Sequence, residues 1–257
     1  MLDTIALFLD VDGTLLPFAD TPQGVRVEAS LVGLLRALAW RTRGALAFIS
    51  GRPLDQLDSL FMPLRLPAAG LHGFERRGAG GAYWRHDPPS QAVLDDARRR
   101  MRQLADSEPG LVLEDKHFQL ALHYRRAPGA QLRVMNAMLD IASHAGPQFE
   151  LQPGHCVVEL RPAGVTKGGA VRAFLQEAPF RDRHPLYLGD DLTDESAFEE
   201  VNRSGGLSVG VGSRTPTAAQ FILDGPAAVR AWLQQLHDAP EQVLEAARQP
   251  RWSADAR

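Results

Sequence analysis

Short apolar runs alternate with amphipathic segments along most of the chain. The runs cover residues 5–9, 45–49, 66–71, 185–188 and 207–211. Each is followed within two residues by Gly, Asp or Ser, a boundary that is typical of buried strands. Apolar residues recur at helical spacing in the predicted helices 28–41, 53–60, 167–178, 191–201 and 229–236. Strands and helices in this alternation predict a parallel sheet covered by helices.

The alternation changes after residue 77. Helices are predicted over residues 89–105 and 130–144, and strands over residues 112–114, 119–124 and 156–160. Paired strands between helices are typical of a small α+β module. We therefore expect an α/β fold, with a Rossmann-like parallel-sheet core in residues 1–77 and 161–257 and an inserted α+β domain in residues 78–160.

Two polar stretches are predicted to lack regular structure. Residues 15–27 contain two prolines and a glycine and are expected to form a loop. The polar segment that begins at Pro240 is expected to be loosely held.

Composition narrows the classes of function. A net charge of -3 argues against nucleic-acid binding, which favours a basic surface. No stretch approaches the roughly 20 apolar residues of a membrane span, and no secretory segment is visible. The single cysteine, Cys156, excludes an intramolecular disulfide and is expected to be a buried structural thiol. We expect a cytoplasmic protein.

The first apolar run ends in Asp10-Val11-Asp12-Gly13-Thr14. Acids at the carboxyl end of a strand lie where open α/β sheets bind their ligands, and Gly13 permits a tight turn there. Taken alone, the two acids could equally form an acidic turn that caps a helix.

Other predicted strand ends carry further polar groups. They are Ser50, Lys167 at a nearby helix start, Asp190, Asp191 and Asp194. Carboxylates without a His or Cys cluster favour a hard cation, and Mg²⁺ fits best. A lysine at a helix amino terminus favours an anion. Together these groups indicate phosphoryl transfer. Asp194 could equally be an acid of a helix first turn.

This ordered set of motifs resembles the haloacid dehalogenase phosphatase superfamily. Longer segments are similar to those of trehalose-6-phosphate phosphatases. These segments are Ser50-Gly51-Arg52-Pro53, Gly70-Leu71-His72-Gly73, residues 121–125, residues 159–168 and residues 189–195. Some relatives carry Glu where this chain has Leu71, so the resemblance implies no sugar contact from that position.

The resemblance implies a role for each residue of the core motifs. Asp10 would be the nucleophile that carries an aspartyl-phosphate, and Asp12 the general acid and base. Mg²⁺ would be held by the Asp10 side chain, the Asp12 backbone carbonyl and Asp190, with Asp191 and Asp194 nearby. Lys167 and Ser50 would hold the phosphoryl oxygens.

The inserted domain resembles the cap of this superfamily, which selects the sugar. The implied substrate-binding residues are Ser50, Gly51, Arg52, His72, Lys116, Arg125, Glu159 and Lys167. His123 and Arg161 are further candidates. Any of the cap residues could instead be an ordinary surface charge, and His123 a structural histidine.

The resemblance implies a Mg²⁺-dependent phosphatase of trehalose 6-phosphate, a phosphorylated disaccharide. One alternative keeps the mechanism and changes the sugar, for example to sucrose 6-phosphate. Another is a phospho-receiver or a sugar-phosphate-binding regulator that does not turn over. A functional coupling to a trehalose-phosphate synthase is left open.

Overall fold

The structure is a computed structural model, which describes residues 2–18, 26–154 and 156–246. The chain forms two compact units, Met1–Trp84 with Thr166–Arg257, and Arg85–Val165. The expected boundaries were 77/78 and 160/161. The hairpin that follows residue 73 joins the large sheet, which places the first boundary after it.

The elements are numbered along the whole chain. The strands are β1 (Ile5–Leu9), β2 (Leu46–Ile49), β3 (Ala68–Gly70), β4 (Glu75–Arg77), β5 (Tyr83–Arg85), β6 (Val112–Asp115), β7 (Leu120–His123), β8 (Phe149–Gly154), β9 (Val157–Pro162), β10 (His184–Gly189), β11 (Leu207–Val211) and β12 (Phe221–Leu223). The helices are α1 (Ala29–Arg41), α2 (Leu54–Phe61), α3 (Gln91–Ser107), α4 (Gln131–Ala145), α5 (Lys167–Leu175), α6 (Glu195–Arg203), α7 (Pro226–Asp238) and α8 (Pro240–Ala246).

The first unit is built on one large sheet with the strand order β12-β11-β10-β1-β2-β3-β4-β5. The strands from β12 to β3 are parallel, and β4 pairs antiparallel with β3. β1 is central and all five of its residues are buried. The predicted fold class, a parallel-sheet α/β core, is confirmed.

Helices cover both faces of this sheet. On one face, Leu7 and Leu9 of β1 belong to the same buried cluster as Leu35 of α1 and Leu233 of α7. On the other face, Phe8 lies 6.0 Å from Phe174 of α5, centroid to centroid. Because side chains of a strand alternate between faces, a strand buried on both faces is apolar throughout. This is why β1 appears in the sequence as an unbroken apolar run.

The second unit is a four-stranded sheet in the order β6-β7-β9-β8, with all three pairings antiparallel. Helices α3 and α4 pack on one face of this sheet. Met101 of α3, Met138 of α4 and Leu122 of β7 belong to the same buried cluster. Residues of the opposite parity, such as Glu114 and Glu159, therefore lie on the face without helices.

Several predicted elements differ from the structure. The strand expected over residues 66–71 is limited to β3, because Leu71 and His72 have φ values of 51° and 59°. The helix expected over residues 191–201 begins as a short 3-10 helix, Leu192–Asp194, and continues as α6. Strands β4, β5, β8 and β12 were not predicted. β8 contains Pro153, which is tolerated because β8 is an edge strand.

Other expectations concern the cysteine, the loop and the tail. Cys156 is only partly buried, and its φ of 58° places the start of β9 one residue later than predicted. Residues 19–25 of the predicted loop lie outside the described residues. The tail expected to be loose forms α8, and residues 247–257 lie outside the described part. No helix among the described residues is long and apolar enough to cross a membrane.

Candidate active site

Three strand ends bring the candidate residues together at the centre of the large sheet. β1 lies between β10 and β2, so Asp10, Asp190 and Ser50, which follow these strands, meet at one edge. Asp10 is 4% exposed and Ser50 is 1% exposed. This edge is therefore a largely desolvated place in which charged groups need partners.

Lys167 is the first residue of α5, and its side chain reaches Asp10 at this edge of the sheet. Thr166 caps the helix by accepting a hydrogen bond from the backbone N–H of Gly169, at 3.0 Å. The Lys167 ammonium donates to Oδ1 of Asp10 and to Oδ1 of Asp194, each at 2.7 Å. Burial alone would lower the pKa of Lys167, but the two carboxylates outweigh it and raise the pKa. The ammonium is thus held in its charged form.

Three acids form a group that could hold a cation. Asp10, Asp190 and Asp194 each offer a carboxylate oxygen, and these oxygens lie within 4.8 Å of one another. Burial raises the pKa of both Asp10 and Asp190, and the neighbouring carboxylates raise it further. An oxygen-only donor set with uncompensated negative charge fits a hard divalent cation.

Gly13 leaves the space that the Asp190 carboxylate occupies. Its φ is +86°, and a Cβ built on it would lie 2.1 Å from Oδ2 of Asp190. The hydroxyl of Thr14 donates to Oδ1 of the same carboxylate at 3.0 Å. The turn after β1 therefore shapes the position of the acid that follows β10.

Asp194 is fully buried and accepts four hydrogen bonds. The donors are the ammonium of Lys167, the hydroxyl of Tyr187 at 2.5 Å, and the backbone N–H groups of Asp190 and Asp191 at 3.0 and 2.9 Å. Asp191 is the N-cap of the 3-10 helix and forms a capping box with Asp194. Asp194 is therefore both a first-turn acid and a member of the acidic group, two roles that the sequence presented as alternatives.

The crowded acids predict how the metal-free protein responds to pH. The pKa of Asp190 is raised in the folded state, so the folded protein is stabilised when Asp190 is protonated. This stabilisation is lost as the pH rises above the ordinary aspartate range. Metal-free protein should therefore become less stable between pH 6 and pH 9. Asp190→Asn, which is neutral at every pH, should be more stable at pH 9 by about 1 kcal/mol, or roughly 2–4 °C in Tm.

Thermal unfolding in the presence of a chelator measures this effect. The matched control is Asp224→Asn, which changes an acid in the segment between β12 and α7. The control should keep the pH dependence of the unchanged protein. Equal slopes of Tm against pH for the chain and for Asp190→Asn would show that the acids do not repel one another.

Tyr187 was not predicted as a site residue, because it lies within the apolar strand β10 and looks like a core residue in the sequence. Its ring is buried against Phe198 and its hydroxyl reaches Asp194. Burial raises the pKa of Tyr187 well above its usual value, and the carboxylate of Asp194 raises it further. The hydroxyl therefore stays a hydrogen-bond donor.

We expect Tyr187→Phe to lower the free energy of unfolding by about 1.5–3 kcal/mol, because a buried carboxylate loses one donor. Activity should fall by less than about tenfold, since Lys167 still holds Asp194. Chemical denaturation and initial rates measure the two effects. The control is Tyr124→Phe, which removes the hydroxyl of a buried tyrosine that makes no side-chain hydrogen bond within the described part of the chain. Equal destabilisation of both variants would contradict the role of Tyr187.

Asp12 lies outside the acidic group. Its carboxylate accepts two hydrogen bonds from Arg52, with Nε to Oδ2 at 2.6 Å and Nη2 to Oδ1 at 2.7 Å. The resemblance implied that Arg52 binds the substrate, and this stays a prediction; in the structure its guanidinium lies on Asp12. A metal contact from the backbone carbonyl of Asp12 stays a prediction.

The turn after β2 holds the remaining core residues. Oγ of Ser50 accepts a hydrogen bond from the backbone N–H of Arg52 at 3.1 Å. Gly51 passes beside the buried ring of His72, which a Cβ at this position would approach to 2.8 Å. The backbone of this turn therefore contacts both the hydroxyl of Ser50 and the imidazole of His72.

In the second unit, candidate residues on the face without helices form ion pairs. The ammonium of Lys116 lies 2.6 Å from Oε1 of Glu159, and both side chains are 9% exposed. Nε2 of His123 lies 2.8 Å from Oε2 of Glu114, an acid that the sequence analysis did not single out. Burial alone would raise the pKa of Glu114, but His123 and Lys116 lower it below its usual value.

Two further arginines complete this set. Arg161 is buried and its Nη2 lies 2.7 Å from Oε1 of Glu150. Arg125 lies in the turn after β7 and is partly exposed. The polar residues of this face are thus largely paired with one another, as expected of charges that are shielded from water.

The fold and the site together define a class of protein. A buried Asp-x-Asp-Gly-Thr turn, a lysine paired with its first acid, and further acids after a neighbouring parallel strand are the features of a haloacid dehalogenase-type phosphatase. The chain belongs to the trehalose-phosphatase family, whose model, described as Trehalose-phosphatase, matches residues 8–227. The predicted family and the prediction that the chain is an enzyme are both confirmed.

Individual relatives agree with this assignment. A probable trehalose-phosphate phosphatase of Sinorhizobium fredii is 44% identical over 84% of this chain and 81% of the relative. The trehalose-6-phosphate phosphatase of Escherichia coli (strain K12) is 43% identical over 93% of this chain and 89% of the relative.

Solved structures agree at the level of the fold. A trehalose-6-phosphate phosphatase related protein has a TM-score of 0.77 at 27% identity, covering 93% of this chain and 99% of that one. The C-terminal domain of a Candida albicans trehalose-6-phosphate phosphatase has a TM-score of 0.82 at 22% identity, covering 92% and 93%.

Proposed function

We propose that this enzyme hydrolyses trehalose 6-phosphate to trehalose and phosphate through an aspartyl-phosphate on Asp10. The observation that carries the proposal is the buried pairing of Asp10 with Lys167 at the end of β1, in a chain of the trehalose-phosphatase family. A carboxylate beside a fixed ammonium is suited to receive a phosphoryl group, because the charge that accumulates there is already neutralised.

In the first step, a carboxylate oxygen of Asp10 attacks phosphorus while the bond from phosphorus to the sugar oxygen breaks. The sugar oxygen is a poor leaving group and takes a proton from Asp12. Such general acid catalysis contributes about 10²–10⁴-fold to the rate. Ser50 and Lys167 bind the phosphoryl oxygens during the transfer.

In the second step, Asp12 accepts a proton from water as the water oxygen attacks phosphorus. The bond from phosphorus to Asp10 breaks, and phosphate leaves. Asp12 ends the cycle protonated, ready to act as an acid again. Asp10 must therefore start ionised and Asp12 protonated. Asp10 is paired with Lys167, and Asp12 with Arg52.

The metal in this proposal is Mg²⁺, held by Asp10 and Asp190 with Asp194 close by. Three clustered carboxylate oxygens and the absence of nitrogen or sulfur donors within this group support it. When bound, the cation neutralises charge on the transferring phosphoryl group. The cation would also favour the ionised form of Asp10, whose pKa is otherwise raised by burial and by neighbouring carboxylates.

We propose that the second unit acts as the cap and recognises the sugar. Its face without helices presents buried ion pairs such as Lys116 with Glu159, whose donors and acceptors suit sugar hydroxyls. Arg125 and His72 remain candidates for further contacts. Glu159→Gln should therefore raise KM for the sugar phosphate more than it lowers kcat.

The substrate must come from a reaction that joins two glucosyl units and leaves one phosphate in place. We propose a functional coupling to a trehalose-phosphate synthase on this ground. A cytoplasmic location fits a chain with a single cysteine and a phosphorylated substrate.

A substrate panel tests the proposed function. Phosphate release is measured with trehalose 6-phosphate, sucrose 6-phosphate and glucose 6-phosphate, each with Mg²⁺ and with a chelator. We expect trehalose 6-phosphate to give the highest kcat/KM and the chelator to abolish turnover. A higher kcat/KM with another sugar phosphate would show that trehalose 6-phosphate is not the preferred substrate. A single stoichiometric phosphorylation without turnover would instead indicate a phospho-receiver.

A further inference from the structure

The Asp12 carboxylate depends on a single side chain for its orientation. Within the described residues, the guanidinium of Arg52 supplies every hydrogen bond that this carboxylate accepts. Asp12 itself follows β1 and lies in the turn that leads to Gly13, where no regular strand fixes it. An acid that must exchange a proton with a bound atom loses efficiency when its carboxylate rotates freely.

Arg52 is suited to fix that carboxylate. Its Nε and Nη2 bind the two oxygens at 2.6 and 2.7 Å, the side-by-side arrangement in which a planar guanidinium meets a planar carboxylate. The Arg52 side chain is 11% exposed and the Asp12 side chain is 29% exposed. The pair is therefore screened less than a surface ion pair, while one side of the acid remains open to a ligand.

The backbone of Arg52 is itself held in place on both sides. Its N–H donates to Oγ of Ser50 at 3.1 Å, and its carbonyl accepts from the N–H of Leu71 at 3.1 Å. The N–H of Leu54, where α2 begins, donates to Glu75 at 2.7 Å. The guanidinium thus extends from a segment anchored to β2, β3 and β4, and not from a mobile loop.

We propose that Arg52 is a positioning residue that orients the Asp12 carboxylate for proton transfer to the leaving sugar and from water. The proposal rests on the proposed function, because it assigns Arg52 to the acid and base of that reaction. It differs from the substrate-binding role suggested by the sequence. A residue that binds the phosphate should matter for every phosphate ester, whereas one that orients the acid should matter in proportion to the need for a proton.

The experiment compares two leaving groups in Arg52→Gln. Trehalose 6-phosphate needs a proton on its departing oxygen, and 4-nitrophenyl phosphate does not. With trehalose 6-phosphate, kcat should fall about 10²-fold while KM changes by less than about threefold. With enzyme in excess over 4-nitrophenyl phosphate, nitrophenolate release reports the first step alone, and its rate should fall by less than about threefold.

Two variants control for a general loss of structure. Arg77→Gln breaks another two-pronged pair in the same unit, between Arg77 and Asp58 at 2.7 Å for both contacts. It should lower Tm and leave both rates unchanged. Arg52→Lys keeps the charge but not the planar fork, and should show the same pattern as Arg52→Gln with a smaller loss.

A double variant gives the decisive comparison. If Arg52 acts through Asp12, adding Arg52→Gln to Asp12→Asn should cost no further activity. Additive losses, equal losses with both leaving groups, or a loss confined to KM would each overturn the proposal. Failure of the unchanged enzyme to hydrolyse trehalose 6-phosphate would instead overturn the proposed function, so the two failures are distinguishable.

Discussion

Replacing Asp10 with Asn should reduce turnover by about 10⁵-fold or more, because the amide cannot form the acyl-phosphate bond. The fold should survive, since Lys167 keeps its contact with Asp194 when the charge at position 10 is lost. Steady-state phosphate release measures the activity, and thermal unfolding measures the fold.

Asp10→Glu tests whether activity needs only a carboxylate at this residue or also the exact position of its attacking oxygen. The longer side chain restores the negative charge but moves the attacking oxygen away from the place set by β1. It should therefore be nearly as inactive as Asp10→Asn. Substantial activity in either variant would remove Asp10 from the role of nucleophile.

Asp12→Asn should lower kcat for trehalose 6-phosphate by about 10²–10⁴-fold, the usual contribution of general acid and base catalysis. Affinity for Mg²⁺ should be retained, since the Asp12 side chain lies outside the group formed by Asp10, Asp190 and Asp194. Phosphate release gives the first value, and the rise of Tm with added Mg²⁺ gives the second.

The matched control for this prediction is Asp58→Asn. Asp58 is also held by an arginine through two hydrogen bonds, those from Arg77, but it lies on α2 and not at the site. It should lower Tm and keep kcat. If Asp12→Asn loses Mg²⁺ binding, its carboxylate is a ligand and the division of labour between the two acids is wrong.

The sequence predicted the parts of the site that depend on single strands. Asp10 and Asp190 each follow an apolar run, and parallel strands with helical connections place such ends on one edge. The capping residue Thr166 similarly marks the start of α5 and hence the place of Lys167. Local patterns of this kind are readable because burial and capping act within a few residues.

Contacts between distant segments could not be predicted in this way. Arg52 reaches Asp12 across 40 residues only because β1 and β2 are neighbours in the sheet. Tyr187 has no local signal, since a buried tyrosine and a buried phenylalanine fit the same apolar strand. The partners of Asp194 likewise come from α5, from β10 and from the turn after β10, so its full set of hydrogen bonds depends on the completed fold.

The division of the chain shows the same limit. The change of pattern after residue 77 indicated an inserted module, but the hairpin of β4 and β5 belongs to the large sheet. The glycines at 78, 80 and 81 mark the turn between these strands and not the start of the second unit. Only strand pairing distinguishes the two, and pairing is a property of the tertiary structure.

Trapping the phosphorylated enzyme tests the central claim most directly. Asp12→Asn is mixed with 4-nitrophenyl phosphate and Mg²⁺, quenched in acid, digested and analysed by mass spectrometry. Since the first step needs no proton for this leaving group and the second step lacks its base, phosphate should accumulate. We predict one phosphoryl group on the peptide that contains Asp10, absent when Asp10→Asn is added. Nitrophenolate release with no phosphorylated peptide, or with phosphate on another residue, would contradict the account.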